Sequence, residues 1–238
     1  HRGLVQMVGE FGLPTIERKM AALLEVASAS VCRWIASLPE SAMQFRDALD
    51  DGTVIQVKLQ RSRGGLVVDF DGTAGVHANG FNATESIVHS AVLYVMRCFC
   101  DSNLPLCDGA MRPITLNIPT GLLSPPANED PRKCAAVVAG NVETSQRLVD
   151  VLLGAIGSEL DDAPVFRSVA ASQGTMNNVL FGDPTFGYYE TIGGGSGATV
   201  FGPGADGIHT HMTNTRITDA EVLESRLPVR LKRFSIRR

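Results

Sequence analysis

The sequence predicts an α+β fold: a mixed, largely antiparallel sheet with several amphipathic helices and long Gly/Pro-rich loops. Three observations predict it. Ile16, Met20, Leu23, Ala27, Val31, Trp34 and Leu38 recur at helical steps of three or four. Two β-rich runs, Val54 to Leu59 and Leu66 to Phe70, flank a polar, glycine-containing loop and read as a hairpin. Pro119, Gly121, Pro125, Pro126 and Pro131 leave no room for regular structure up to about residue 132. With 238 residues, 44% of them hydrophobic and 19% charged, the chain suits one large domain or two small ones. Disorder, collagen and coiled coil are set aside. Residues 1–238 are treated as a single domain piece, with the loop at 119–132 as the best internal boundary.

Along the chain, His1-Arg2-Gly3 runs straight into Leu4, Val5, Val8 and Phe11, with no starting Met and no recognisable cap. Residues 229 to 236 alternate like a strand that stops abruptly, and both ends read as those of a fragment. Pro14 suits the first turn of a long helix, which ends before Pro39. Asp51-Gly52 marks a turn, and Asp71-Gly72 closes the hairpin. Asn82-Ala-Thr-Glu85 has capping-box spacing and opens a helix over 83–100, whose stripe is Ile87, Ala91, Tyr94 and Cys98. Ile114 to Ile118 alternates as a strand. Asn141 can cap a helix carrying Leu148, Val151, Leu152 and Ala155 until Gly157. From 165 to 215, Gly, Ser, Thr, Asn and His interrupt every apolar run, and Thr218-Asp-Ala-Glu221 then opens a short helix ending near Pro228.

A net charge of −4 and a pI near 5.7 argue against a chain that coats nucleic acid or an anionic membrane. The six basic residues after Leu223 (Arg226, Arg230, Lys232, Arg233, Arg237, Arg238) read as a solvated strand face. No apolar run approaches the roughly 20 residues of a bilayer span. Five cysteines at irregular spacing suit buried thiols in a reducing cytoplasm, and Cys98 falls on an apolar helix face.

Four constellations can carry chemistry. Gly193-Gly-Gly-Ser-Gly197 allows a backbone nest for phosphate, or else a tight turn packed on another backbone; no Walker lysine follows it. His209 and His211 lie on one side if the segment is extended and so could share a metal, with Asp206 and Asn214 near; alternatively they hydrogen-bond a loop. Gln173, Asn177 and Asn178 gather amides able to read a cyclic amide or carboxylate. Glu190 could move a proton if burial raised its pKa. The alternative for this dense polar cluster is a network that only organises a large loop. No GxSxG elbow is present.

Ala136-Val-Val-Ala-Gly-Asn-Val-Glu-Thr-Ser-Gln-Arg147, Ala171-Ser-Gln-Gly-Thr-Met-Asn-Asn178, Tyr189-Glu-Thr-Ile-Gly-Gly-Gly-Ser-Gly-Ala198 and His209-Thr-His-Met-Thr-Asn-Thr-Arg216 closely resemble the hydantoinase B/oxoprolinase family. Asn79-Gly-Phe-Asn82, Ser90-Ala-Val-Leu-Tyr94 and Pro228-Val-Arg-Leu231 extend the resemblance over most of the chain from about residue 50. It implies an ATP-dependent hydrolase of a cyclic amide, 5-oxoproline or an N-methylhydantoin. Such members work with a hydantoinase A-type subunit or fused domain that holds ATP and Mg, in cytoplasmic homo- and hetero-oligomers without nucleic acid or membrane. A further divalent metal would belong to the family's upstream region, and no metal ligand is transferred to a residue here. The implied site or partner-contact residues are Gln173, Asn177, Asn178, Glu190, Gly194, His209, His211 and Asn214. Related assemblies carboxylate acetone or acetophenone, which is the alternative chemistry; a non-catalytic assembly module is the third. By itself the fragment is expected to be inactive.

Overall fold

Alternation along the second strand sets the core. In the computed structural model, which describes residues 1–100, 103–159, 177–213 and 215–235, β2 (Val54–Ser62) points Ile55, Val57 and Leu59 inward, each wholly buried. β3 (Gly65–Asp69) does the same with Leu66 and Val68, pairing Leu59 with Val68 across the expected hairpin. β1 (Met43–Ala48) adds an antiparallel edge on β2, and β4 (Ile114–Asn117) adds a parallel edge on β3, for the order β1-β2-β3-β4. The parallel β3–β4 pair needs a long crossover, which carries helix α3 (Glu85–Phe99).

Helix α4 (Ser145–Glu159) lies across β1 and β2 and also packs on α3. Its Leu148, Val149, Val151, Leu152, Ala155 and Ile156 are buried with Val88, Ala91, Val92, Val95 and Met96 of α3. Each buried Leu, Val, Ile or Met among them contributes about 1.5–3 kcal/mol relative to exposure. Leu122 and Leu123, inside the Pro-rich loop, enter the same core. The N-terminal helices are α1 (Arg2–Phe11), which buries none of its residues, and α2 (Leu13–Ser37), which places Ala27, Val31 and Ile35 in the core and stacks Trp34 on Phe99 at 5.6 Å. β5 (Asn177–Asp183) and β6 (Phe186–Ile192) form a separate two-stranded hairpin, and α5 (Ala220–Arg226) follows.

Several expectations are corrected. α2 contains an 18-residue window of mean hydropathy 1.3, so one helix does meet the length and composition of a membrane span, although its inner stripe is core. β1, which carries no signal in the sequence, is a strand without alternation, because only Met43 is buried and pairing to β2 holds the rest. Thr84, not Asn82, occupies the N-cap of α3, and Asp219, not Thr218, caps α5 by accepting from the Glu221 N–H. Asn141 lies inside a π-helical turn, Gly140–Thr144, that feeds α4. Residues 229–235 are not a strand; 236–238 lie outside the described residues. Cys32, Cys98 and Cys134 are exposed and Cys100 and Cys107 half-buried, so the thiols are free but not core.

Asn82 is wholly buried for another reason than capping. Its Oδ1 accepts the His77 N–H at 2.7 Å, and its Nδ2 donates to the carbonyls of His77, Asn79 and Ala136 at 2.9, 3.2 and 3.0 Å. This joins the loop before α3 to the segment that enters the π turn. His77 in turn reaches Asp51 Oδ2 at 2.6 Å. The His77 hydrogen bond, then those from Thr53, lower the Asp51 pKa from 3.8 to about 2. A depressed carboxyl pKa adds stability that is complete above the unfolded value and is lost as pH falls through the folded one. Unfolding midpoints in urea should therefore fall between pH 3.8 and about pH 2, and Asp51→Asn should flatten that segment of the curve; an unaltered slope in the variant rejects the pair as its source.

Candidate functional site

On the β5–β6 hairpin, Asn178 faces Thr191 across the ladder, and its Oδ1 accepts from the Tyr189 hydroxyl at 2.9 Å and the Thr191 hydroxyl at 3.0 Å. Asn177, opposite Ile192, is exposed. Glu190 points to the other face, as strand alternation requires, and accepts from the Thr218 N–H. Desolvation acts upward on its carboxyl, but the hydrogen bonds from Thr218 and Tyr188 outweigh it and hold the pKa below the usual value. Glu190 is thus a carboxylate anchoring the segment before α5, without the raised pKa that proton transfer was expected to use. Gln173 and Asn214 lie outside the described residues.

The glycine run resolves to the packed turn. The Gly195 N–H donates to Ile208 O at 2.9 Å, and Ser196 exchanges backbone bonds with Ala205 at 2.8 and 3.1 Å. A Cβ on Gly193 would sit 2.6 Å from the Ile208 carbonyl carbon, and Gly195 has φ +113. Glycine is needed here for close backbone approach, and amides already given to carbonyls leave no phosphate nest at these positions. Gly194, between them, is exposed.

The two histidines part company. His209 Nε2 lies 3.0 Å from Thr191 O and ties the loop to β6. His211 turns to the helices: its Nδ1 is 3.2 Å from the Tyr94 hydroxyl on α3, and its Nε2 is 3.8 Å from Asp150 Oδ1 on α4. Arg147 Nη1 bonds both Asp150 Oδ2 at 3.1 Å and Asp47 Oδ2 at 3.0 Å on β1. His211 has φ +48, the only non-glycine with positive φ among the described residues. Such a conformation costs about 1–3 kcal/mol and persists where surroundings over-determine it. Gln146 does so, since its Nε2 donates to Thr210 O at 2.8 Å and its Oε1 accepts the Met212 N–H at 3.2 Å. The amide grips the chain on both sides of His211.

Burial pushes the His211 pKa below 6.5, leaving the imidazole neutral at pH 7. Desolvation, with the Cys98 thiol beside it, pushes Tyr94 up to about 12. His211 Nε2 and Arg147 Nε are buried without a hydrogen-bond partner among the described residues. His209 and His211 bond different elements, β6 and the α3–α4 pair, which is the loop-organising alternative rather than a shared ligand position, and among the described residues no three of His, Cys, Asp and Glu converge. Tyr94, Gln146 and Arg147 stand in the sequence as parts of family-like motifs, and Asp150 in none; none of the four is singled out there as a site residue. The available signal was three polar side chains at i, i+1 and i+4 on an otherwise apolar helix. Tyr94 also lines a groove of about 360 Å3, walled by Leu93 and Leu106 and carrying Ser90, Arg97 and Cys98.

The family model described as hydantoinase B/oxoprolinase matches residues 1–238. 5-Oxoprolinase 1 of Arabidopsis thaliana is 38% identical over 98% of this chain and 18% of its own length. The chain spans about a fifth of the curated relatives it matches. The crystal structure of the ATP-dependent caprolactamase from Pseudomonas jessenii superposes with TM-score 0.75 at 17% identity, over 98% of this chain and 42% of the other. A nucleotide-free acetone carboxylase structure gives TM-score 0.67 at 16% identity, over 93% of this chain and 32% of the other. These two show a shared fold. With the family model matched from the first residue to the last, the chain belongs to the hydantoinase B/oxoprolinase family.

Proposed function

We propose that this chain is part of an ATP-dependent cyclic amide hydrolase acting on 5-oxoproline or an N-methylhydantoin. It would work in the cytoplasm with a hydantoinase A-type subunit or fused domain, in a homo- and hetero-oligomeric assembly. The observation that carries this reading is 38% identity to a 5-oxoprolinase across 98% of the chain. ATP and Mg on the partner would activate the ring by phosphorylating its amide oxygen, after which water adds to the activated carbon and the C–N bond opens. The residues here hold charge and geometry around that carbon. Donors fixed in place before reaction stabilise developing negative charge without reorganising. Asn178, His209 and the Gln146-gripped loop supply a frame of that kind, already tied together by hydrogen bonds.

The fold shared with acetone carboxylase favours ketone carboxylation as the second reading. The deciding experiment measures ATP hydrolysis by the full-length protein with its A-type partner, comparing 5-oxoproline, hydantoins and acetone plus bicarbonate. ATP turnover coupled to a cyclic amide is the expected result. Turnover only with ketone plus bicarbonate moves the assignment to carboxylation. Replacing Asn178 by Ala should depress turnover per assembled complex; weakened subunit association with unchanged chemistry instead makes the hairpin an assembly element.

A further inference from the structure

We infer that Tyr94, His211 and Asp150 form a hydroxyl–imidazole–carboxylate proton relay, and that the groove between α3 and Leu106 is where the relay meets a small, partly apolar, anionic ring. The inference deepens the hydrolase reading and rests on it for the identity of the ring. The geometry comes from three distant parts of the chain. Tyr94 comes from α3, Asp150 from α4, and His211 from a loop held in a left-handed conformation by Gln146. The groups facing the imidazole or its neighbours are Tyr94, with Arg97 and Cys98 on the same groove, Arg147 and Asp150 on α4, and Asp47 on β1 behind Arg147.

The order of the three groups sets the direction of transfer. Asp150 Oδ1 stands 3.8 Å from Nε2, a charge contact too long for a hydrogen bond, and its negative charge favours the neutral tautomer with the proton on Nε2, which leaves the Nδ1 lone pair to accept from the Tyr94 hydroxyl. During attack, the O–H bond of water breaks and its proton passes to the Tyr94 oxygen. Tyr94's own proton moves to His211 Nδ1, the water oxygen bonds the activated carbon, and the positive imidazolium rests beside the Asp150 carboxylate. Charge and protons balance with water as the sole co-reactant, and hydrolysis supplies it. A protonated tyrosine and a neutral, desolvated imidazole are the states this transfer starts from. The groove supplies Leu93 and Leu106 for ring atoms and Arg97 for an anionic group, the carboxylate of the ring or the phosphate of its activated form.

The relay predicts a tautomer and a rate. In the full-length chain carrying 15N-histidine, with the His211 signal assigned by His211→Gln, Nδ1 should be unprotonated and Nε2 protonated at pH 7. Tyr94→Phe should shift the Nδ1 resonance. A proton on Nδ1 overturns the relay whatever the enzyme's substrate proves to be. In the assembled enzyme, Tyr94→Phe and His211→Gln should each lower kcat on the ring substrate about 100-fold or more. Wild-type kcat/KM should fall as pH drops through a value below 6.5, where His211 becomes charged, and His211→Gln should lack that limb. Wild-type kcat and an unchanged pH profile in Tyr94→Phe overturn the relay. Absence of ring turnover in the wild type instead counts against the hydrolase reading, and the NMR result then decides the relay alone.

Discussion

Replacing Asn82 by Ala lowers the unfolding free energy of the full chain by about 3–5 kcal/mol, because several buried backbone groups lose their partner and each costs about 1–3 kcal/mol. The four bonds of this amide are distributed over His77, Asn79 and Ala136, so one substitution unties two loops. No water replaces the amide easily, since Asn82 is wholly buried and Gly140 packs so close to this turn that an added Cβ would stand 2.3 Å from the Asn82 main-chain oxygen. Against a typical total of about 5–15 kcal/mol, the loss takes a large share of the stability. Urea denaturation of the full chain measures it. Asn82→Asp separates the roles: it keeps the acceptor for the His77 N–H but turns a buried carboxylate oxygen toward three carbonyls, so at neutral pH it should cost at least as much as Asn82→Ala. A cost below about 1 kcal/mol for Asn82→Ala would show that the loops are held by other contacts.

Asn82 also shows how far local sequence signals reach. Asparagine followed three residues later by glutamate reads as a capping box, and a helix does start there. Only tertiary contact with Ala136, 54 positions away, reveals that the amide is spent on loops and that Thr84 takes the cap position. The same limit applies at Asn141 and Thr218, where helices begin near the expected residue but on another one. Elements with one deeply buried face were legible, because burial enforces a period: α2, the β2–β3 hairpin, α3 and α4, and β4 showed the same alternation with its inner residues half-buried. β1 left no period, since Met43 alone is buried, and β5–β6 is a largely exposed hairpin whose turn is set by Asp183 accepting from the Thr185 N–H at 2.7 Å. The candidate site divides in the same way. Its motif residues were visible as a polar cluster, whereas the partners of His211 are separated from it by more than a hundred residues at Tyr94 and lie on stripes that read as core.

Gly109→Ala is the second substitution with a large expected effect. An added Cβ would stand 2.2 Å from Leu24 O and 2.7 Å from Leu24 Cα, and both atoms are backbone of α2. A flexible side chain could swing away; a helix backbone cannot. The turn at Asp108–Met111 must then lift from α2, and we expect a loss at or above the upper end of the usual overpacking range, about 3 kcal/mol. Gly80→Ala is the internal contrast. There the new methyl meets Val138 Cγ1 at 2.6 Å, but Val138 is 79% exposed and free to rotate, so the cost should stay below about 1 kcal/mol. The effect at Gly109 also reaches function, because Leu106, Cys107, Asp108 and Met111 line the grooves along α3. Under the proposed hydrolase function, lifting that turn should raise KM for the ring substrate while leaving KM for ATP unchanged. Urea midpoints for both variants, with KM for each substrate, test the argument; equal stability losses at Gly80 and Gly109 would mean that the α2 contact yields as readily as a surface valine.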